Sequence, residues 1–345
     1  MAVASRTAPG VRRPVGRRLR RLWVPISQTQ GLARVMLMSG AFTTLFFVVL
    51  AVFARWIAPY GFTQYRTHDG VRFAQLAHPS GAHPFGTTVE SDDVLSRVIW
   101  GAQTELKVVI LALVLSLVVG VPLGLFSGYF GGVLDRGLVL VMDAMFAFPP
   151  LLLAIVIAFL LGSTVNSGVV TAALAITVTY VPQYFRVVRN HVISVREETY
   201  VEAARALGAR PLTVIRKYVF FNVVQNVPVL ATLNAADAIL TLAGLGFLGY
   251  GVQPTQAAEW GYDVQRGLSD ATNGIWWTGL FPGVAIVVLV TGITLLGEGL
   301  NETTNPVLRR RRFGRFDFEP VSPTLAELPE ADVEPPLRPG EGLVE

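Results

Sequence analysis

The sequence predicts an all-α, polytopic membrane protein with six transmembrane helices. Three observations carry that prediction. First, 52% of the 345 residues are hydrophobic and only 15% are charged, with a mean hydropathy of +0.51, whereas a soluble domain carries about 25% charged residues. Second, apolar runs close to the roughly 20 residues that cross a bilayer recur along the chain. Third, the basic residues gather on alternate connecting segments, and cytoplasmic loops are the ones that carry such an excess. The pI near 9.6 does not point to nucleic acid, because the arginines flank apolar runs instead of forming one aromatic-laced face. Cysteine is absent, which excludes a disulfide framework, a thiolate metal site and a cysteine nucleophile.

Taken in order, residues 1–34 form a basic tail with Arg6, Arg12, Arg13, Arg17, Arg18, Arg20, Arg21 and Arg34 and no acid. The first span is expected at 35–57. No small-residue cleavage site follows it, and Trp56 and Tyr60 read as interfacial anchors, so the span is retained and the N-terminus is cytoplasmic. Residues 58–98 form an external loop. It holds His68, His78 and His83, whose irregular spacing without an acidic or cysteine cluster reads as a solvated loop and not as a metal site. A second span is expected at 102–127, where Gly120, Gly124 and Gly128 form a small-residue seam for helix packing, with Pro122 as a kink.

From Ala144 to Phe185 there is no charged residue, which is too long for one helix. The polar stretch Gly162–Gly168 divides it into spans at 137–161 and 169–185. A net-positive, cytoplasmic loop covers 186–222. Within it Ser194 and Glu197 fit a capping box, so a helix is expected to start at Val195. Gly208 is expected to stop that helix in a left-handed conformation. Pro211 suits the first turn of a second helix. Ala203, Ala204 and Gly208 keep one side small, which suits close approach by another protein. Being polar, the hairpin is expected to add little to the buried core. A fifth span at 227–248 contains Asp237. A carboxylate at that depth faces the bundle or a water-filled path, so it either lines a pore or makes an interhelical hydrogen bond. The loop 252–275 is net negative and external. The sixth span is expected at 276–296, with Trp276 and Trp277 at the interface. Arg309–Arg312 and Arg315 then hold the tail 305–345 inside, and its acidic, proline-rich end reads as disordered.

Several of these stretches also carry a resemblance. Glu202-Ala203-Ala204 followed by Leu207 and Gly208 resembles the EAA loop of bacterial ABC importer permeases. His83-Pro-Phe-Gly-Thr-Thr, with Asp93-Val-Leu-Ser-Arg97 and Gly101-Ala102, is similar to the block before the second span in the dipeptide, oligopeptide and nickel permeases. Gly128-Tyr-Phe-Gly-Gly with Asp135-Arg136, Phe146-Ala-Phe-Pro-Pro150, Leu242–Pro254 with Trp260-Gly261, Phe281-Pro-Gly and Leu295–Leu300 are similar to further runs of that family. The resemblance covers roughly residues 83–308. The sequence departs from the family pattern at Thr88, Ser91 and Asp92, and at Phe220-Phe221 before Asn222, where the family carries Leu-Pro.

The resemblance implies a type I ABC importer permease-like fold and the role of second permease subunit in the inner membrane. It implies a homologous permease partner in a heterodimer, two ATPase subunits and an external solute-binding protein. It makes Glu202, Ala203, Ala204, Leu207 and Gly208 the ATPase-coupling contact, and it implies no cofactor. The chain lacks a Gly-x4-Gly-Lys-Ser/Thr loop, so ATP hydrolysis is expected on the partner subunits and no catalytic residue here. The other readings are a secondary transporter, which usually shows an internal repeat and several intramembrane ionisable groups, a passive channel, and an intramembrane enzyme, for which Asp143 and Asp237 lack a partner motif.

Overall fold

The computed structural model describes residues 31–304 apart from 68, 163, 164 and 166. The expected tails 1–34 and 305–345 therefore lie outside the described residues, except for 31–34, as does His68. The regular structure is helical: α1 (Leu32–Val52), α2 (Ala54–Ile57), α3 (Val94–Phe130), α4 (Gly132–Phe146), α5 (Pro150–Gly162), α6 (Gly168–Val195), α7 (Thr199–Ala206), α8 (Pro211–Val214), α9 (Phe220–Val223), α10 (Val227–Phe247), α11 (Trp260–Ala271) and α12 (Trp277–Thr304). By length and composition α1, α3, α6, α10 and α12 suffice to cross a membrane, and α4 with α5 forms a sixth, broken candidate.

The α3–α6 contact is the most extensive in the bundle. The glycine seam makes it. A methyl group on Gly120, Gly124 or Gly128 would lie 2.9, 2.7 or 2.8 Å from the carbonyl oxygens of Val181, Phe185 and Arg189 respectively. Only hydrogen fits there, so the two backbones approach as closely as small-residue interfaces in lipid allow. α3 continues through Pro122 as one helix of 37 residues, about 55 Å long at 1.5 Å per residue. A second seam joins α1 to α12, where a methyl on Gly40 would lie 2.7 Å from the Gly292 carbonyl and one on Gly299 2.7 Å from Leu37 Cα.

Four expectations need correction. The third span is not one helix, because α4 and α5 meet at a 97° bend. Pro149 and Pro150 are the cause: neither donates a backbone hydrogen bond, and each drives the residue before it out of helical geometry. The fourth helix does not stop at 185. Its apolar face continues through Phe185, Val188 and Val192, all at most 2% exposed, because Gly124 and Gly128 of α3 offer a groove for them. Consequently Val195 ends a helix instead of starting one. α7 begins at Thr199, with Glu198 in the N-cap position and no side-chain cap. The stretch 252–275, expected only as a loop, contains the amphipathic helix α11, capped by Glu259.

Trp260 at the start of α11 is fully buried. Its indole lies over Gly101, donates to the Val98 carbonyl at 3.0 Å and meets Phe47 edge-on. That one side chain fastens α11 to α3 and α1.

Gly124→Ile should lower the unfolding temperature sharply, since overpacking a tight contact costs about 1–3 kcal/mol. Gly137→Ala is the control: nothing lies within 4 Å of a methyl there, so intrinsic tryptophan fluorescence should report an unchanged or slightly raised midpoint.

Candidate coupling hairpin and membrane carboxylate

The hairpin is built from α7, a turn at Gly208 and α8. Gly208 has φ +79°, with open space around its Cα. The constraint there is one of backbone conformation and not of crowding. The Ala209 N–H donates to the Ala204 carbonyl at 3.0 Å, closing the end of α7. Pro211 occupies the first turn of α8, as its missing N–H permits. From Pro211 the chain stays helical to Phe247, through a π-helical turn at Ile215–Val219, α9 and a 3-10 turn at Val224–Asn226. Without a proline at 220–221 nothing breaks it.

The hairpin is not a loose polar loop. Val201, Val214 and Val219 are fully buried in a cluster with Val121 and Leu125 of α3 and Val188 and Val192 of α6. Polar contacts add to this. Arg205 stacks over Tyr129 at 5.0 Å, Arg196 donates to the Gly128 carbonyl at 2.9 Å, and Asn222 donates to the Tyr200 hydroxyl at 3.0 Å. Arg189 of α6 grips Asp135 of α4 through two hydrogen bonds of 2.5 and 2.8 Å. α7 and α8 are therefore packed against α3 and α6, and the chain runs on from α8 into α10.

The five residues expected at the coupling contact divide by burial. Ala204 faces inward at 7% exposure. Glu202, Ala203, Leu207 and Gly208 are exposed, with Glu202 in the first turn of α7, where the helix dipole favours an acid. Leu207 is 88% exposed and Leu212 65%. With Ala203 they are three exposed apolar side chains on the hairpin, which also exposes Arg205 and Arg210. Leu212 is not marked by any sequence motif, although its place just after Pro211 in a polar hairpin is a signal.

Asp237 sits at the midpoint of α10 (Val227–Phe247), about 15 Å from either end. Its carboxylate accepts from the Tyr180 hydroxyl of α6 at 2.8 Å. Of the two alternatives for Asp237, the interhelical hydrogen bond is present. The side chain is nonetheless exposed on the chain's own surface, so it does not lie in the interior of this bundle. One turn away Asn234 and Tyr184 are at most 4% exposed and carry polar atoms without a hydrogen-bond partner.

At the opposite end of α3 from the hairpin stands a buried charged network. Asp93 caps α3 by accepting from the Ser96 N–H at 2.8 Å and approaches His83 Nδ1 at 2.9 Å. Arg97 reaches Asp263 of α11 with bonds of 2.5 to 3.1 Å and the Phe62 carbonyl at 3.1 Å. Burial pushes the Asp92 and Asp263 carboxyls up, and Arg97 pulls both back. Glu259 accepts from the Gly261 and Tyr262 N–H groups at 2.7 Å each. Burial pushes its carboxyl up to about 7 against the pull of those donors. Glu105 of α3, fully buried, lies against Glu259 without an aligned hydrogen bond. The His78 ring packs against Trp277 at a tilt of 46°, with centroids 4.5 Å apart. Among the described residues no three His, Asp or Glu side chains converge as metal ligands.

A bundle of apolar helices, with a packed hairpin at one end and a carboxylate at mid-span, defines a multi-pass membrane protein. The family model for the binding-protein-dependent transport system inner membrane component matches residues 120–310, and the chain belongs to that family. The glutathione transport system permease protein GsiD of Shigella flexneri serotype 5b (strain 8401) is 35% identical over 274 residues, covering 79% of this chain and 87% of that one. GsiD of Escherichia coli O6:K15:H31 (strain 536 / UPEC) is 33% identical over the same share. Among solved structures, an inward-facing form of the MetNI methionine ABC transporter matches 61% of this chain and 96% of its own, at 21% identity and a TM-score of 0.47. The type I importer permease fold and the permease function follow from membership in this family of dipeptide, oligopeptide and nickel-type permeases.

The raised Glu259 has a consequence for stability. Because its carboxyl titrates above the ordinary 4.5, the stabilisation it carries is complete at low pH and lost as pH rises through about 7. The unfolding temperature of the purified chain should fall across that range, and Glu259→Gln should flatten the fall.

Proposed function

We propose that the α7–α8 hairpin is the surface on which an ATPase subunit docks, and that the chain moves solute without hydrolysing ATP itself. In this reading it pairs with a homologous permease as a heterodimer, served by two ATPases and an external solute-binding protein. The observation that carries it is the exposure of Ala203, Leu207 and Leu212 on elements whose other faces are locked to α3 and α6. Exposed apolar side chains on a packed stem that also carries arginines are what a protein partner covers. Leu207 and Leu212 supply the anchors, Gly208 sets the angle, and Glu202 contributes charge at the contact.

Asp237 lines the translocation path in this reading. A carboxylate at mid-span facing lipid is costly, and its exposure on a single chain supports a water-filled cleft or the facing permease subunit as its surroundings. Both termini and the hairpin lie in the cytoplasm, with 58–98 and 252–275 outside, supported by the arginine distribution. The cargo is a peptide or related small solute, in the class that the names of the GsiD relatives indicate.

Gly208→Pro should leave insertion and expression close to normal while co-purification with the ATPases and ATP-driven uptake fall to background. Glu202→Lys should reduce both more mildly. A Gly208→Pro chain that still captures its ATPases and transports at the normal rate would overturn the coupling assignment. Asp237→Leu should abolish uptake or assembly, and a variant normal in both would remove Asp237 from the path. A cysteine placed at Ala206, on this cysteine-free background, should label only from the cytoplasmic side.

A further inference from the structure

The spanning helices differ in what they show outward. α3 exposes Ile110, Val114, Val118 and Phe126, a surface suited to hydrocarbon. α6 shows the opposite from about its middle to its hairpin end. Thr179, Gln183, Arg186 and Asn190 recur there at i, i+4, i+7 and i+11, so they fall within about 60° of arc on one face. Thr179 and Gln183 are half-buried, and Arg186 and Asn190 are exposed. Thr179 satisfies itself locally, by donating to the Ala175 carbonyl at 3.1 Å. The side-chain amides of Gln183 and Asn190 meet no hydrogen-bond partner among the described residues. Unpaired amides and a guanidinium are costly against acyl chains, whereas water or a polar solute satisfies them.

Arg186 is the charged member of this face, and it is held ready. Its guanidinium lies over the Phe146 ring of α4 at 4.3 Å, a cation–π contact that steadies its plane. It donates to Asp143 of α4 at 2.8 Å through Nη2. The two side chains of that ion pair are 46% and 56% exposed, and a pair so open to water holds little energy. A guanidinium carries five N–H donors. One is engaged here among the described residues, which leaves a planar fork for the two oxygens of a carboxylate. Exchanging Asp143 for another carboxylate is therefore cheap. A lipid phosphate would also suit the fork, but the free amides on either side of it have no use for acyl chains.

We propose that this face of α6 is a wall of the solute path, and that Arg186 receives a carboxylate carried by the solute, releasing Asp143 as it does so. The inference rests on the reading of the chain as the solute's conduit, and neither on Asp237 nor on the ATPase contact.

The test uses the full chain, assembled with its partners in inverted membrane vesicles, and single cysteines on this cysteine-free background. The probes are two methanethiosulfonates of similar size, the anionic sulfonatoethyl and the cationic trimethylammonioethyl reagents, with rates normalised to a free thiol. Gln183→Cys and Asn190→Cys, which flank Arg186 on its own face, should react with both and favour the anionic one. Val118→Cys on the apolar face of α3 should react with neither. Arg186→Gln should lower the anionic-to-cationic ratio at both cysteines about tenfold, the scale of one lost charge-assisted hydrogen bond, and Arg186→Lys should restore much of it. If Gln183→Cys fails to insert, Asn190→Cys carries the measurement alone. Stripe variants no more reactive than Val118→Cys would overturn the path, since that is the result of cover by lipid or by a neighbouring subunit. A ratio unmoved by Arg186→Gln, or equally low in Arg186→Lys, would overturn the carboxylate assignment. Neither uptake nor ATP enters the measurement, so its failure is distinct from that of Asp237 or of the coupling contact.

Discussion

The closeness of α3 to α6 is the constraint on which the rest of the molecule depends. Three glycines on α3 sit against the carbonyls of Val181, Phe185 and Arg189 and leave a groove for the side chains of Tyr184, Val188 and Val192. That contact fixes the register of α6 along its whole length. It carries Val188 and Val192 out past the apolar region, and with them Arg189 and Arg196, which hold Asp135 and the Gly128 carbonyl. The hairpin inherits its position from this register, since its buried valines join the same cluster. The hairpin and the paired helices α3 and α6 are therefore one packed unit.

The two ends of α3 are secured by different physics. The hairpin end relies on dispersion among valines and on arginines over carbonyls and rings. The other end relies on carboxylates withdrawn from water, with Arg97, Asp263, Asp93 and Glu259 each at most 8% exposed. Buried charge of this kind is costly to assemble and costlier to break singly. It favours one arrangement of α3 and α11 over many similar ones.

The sequence made legible whatever depends on local stereochemistry. The glycine seam, the positive φ of Gly208 and the place of Pro211 each follow from one residue's conformational limits. The fates of Phe146–Pro150 and Ser194–Glu197 were harder. Phe146–Pro150 was visible as a motif but not as a bend, because two prolines end a helix without stating the direction of the next. Ser194–Glu197 has the spacing of a helix start, but the groove beside Gly124 and Gly128 rewards continuing α6 through it. The Arg97–Asp263 bond joins residues 166 apart, a relation no local pattern encodes. An arginine at the mouth of an apolar helix, with three acids in a later loop, was the available hint. Asp237 drew notice by its depth, whereas its exposed orientation depends on how α10 is rotated against α6.

That rotation is tied to the hairpin by a residue count. Between Pro211 and Asp237 the chain is helical throughout, and the π-helical turn at Ile215–Val219 sets the angular phase between the two. Each residue in an α-helix advances about 100° around its axis. A chain one residue shorter at this turn would present Asp237 to a different quadrant while leaving every apolar residue of α10 in sequence. The wide turn thus sets the angular phase between the hairpin and the Asp237 carboxylate, so the number of residues between them is a structural constraint in its own right.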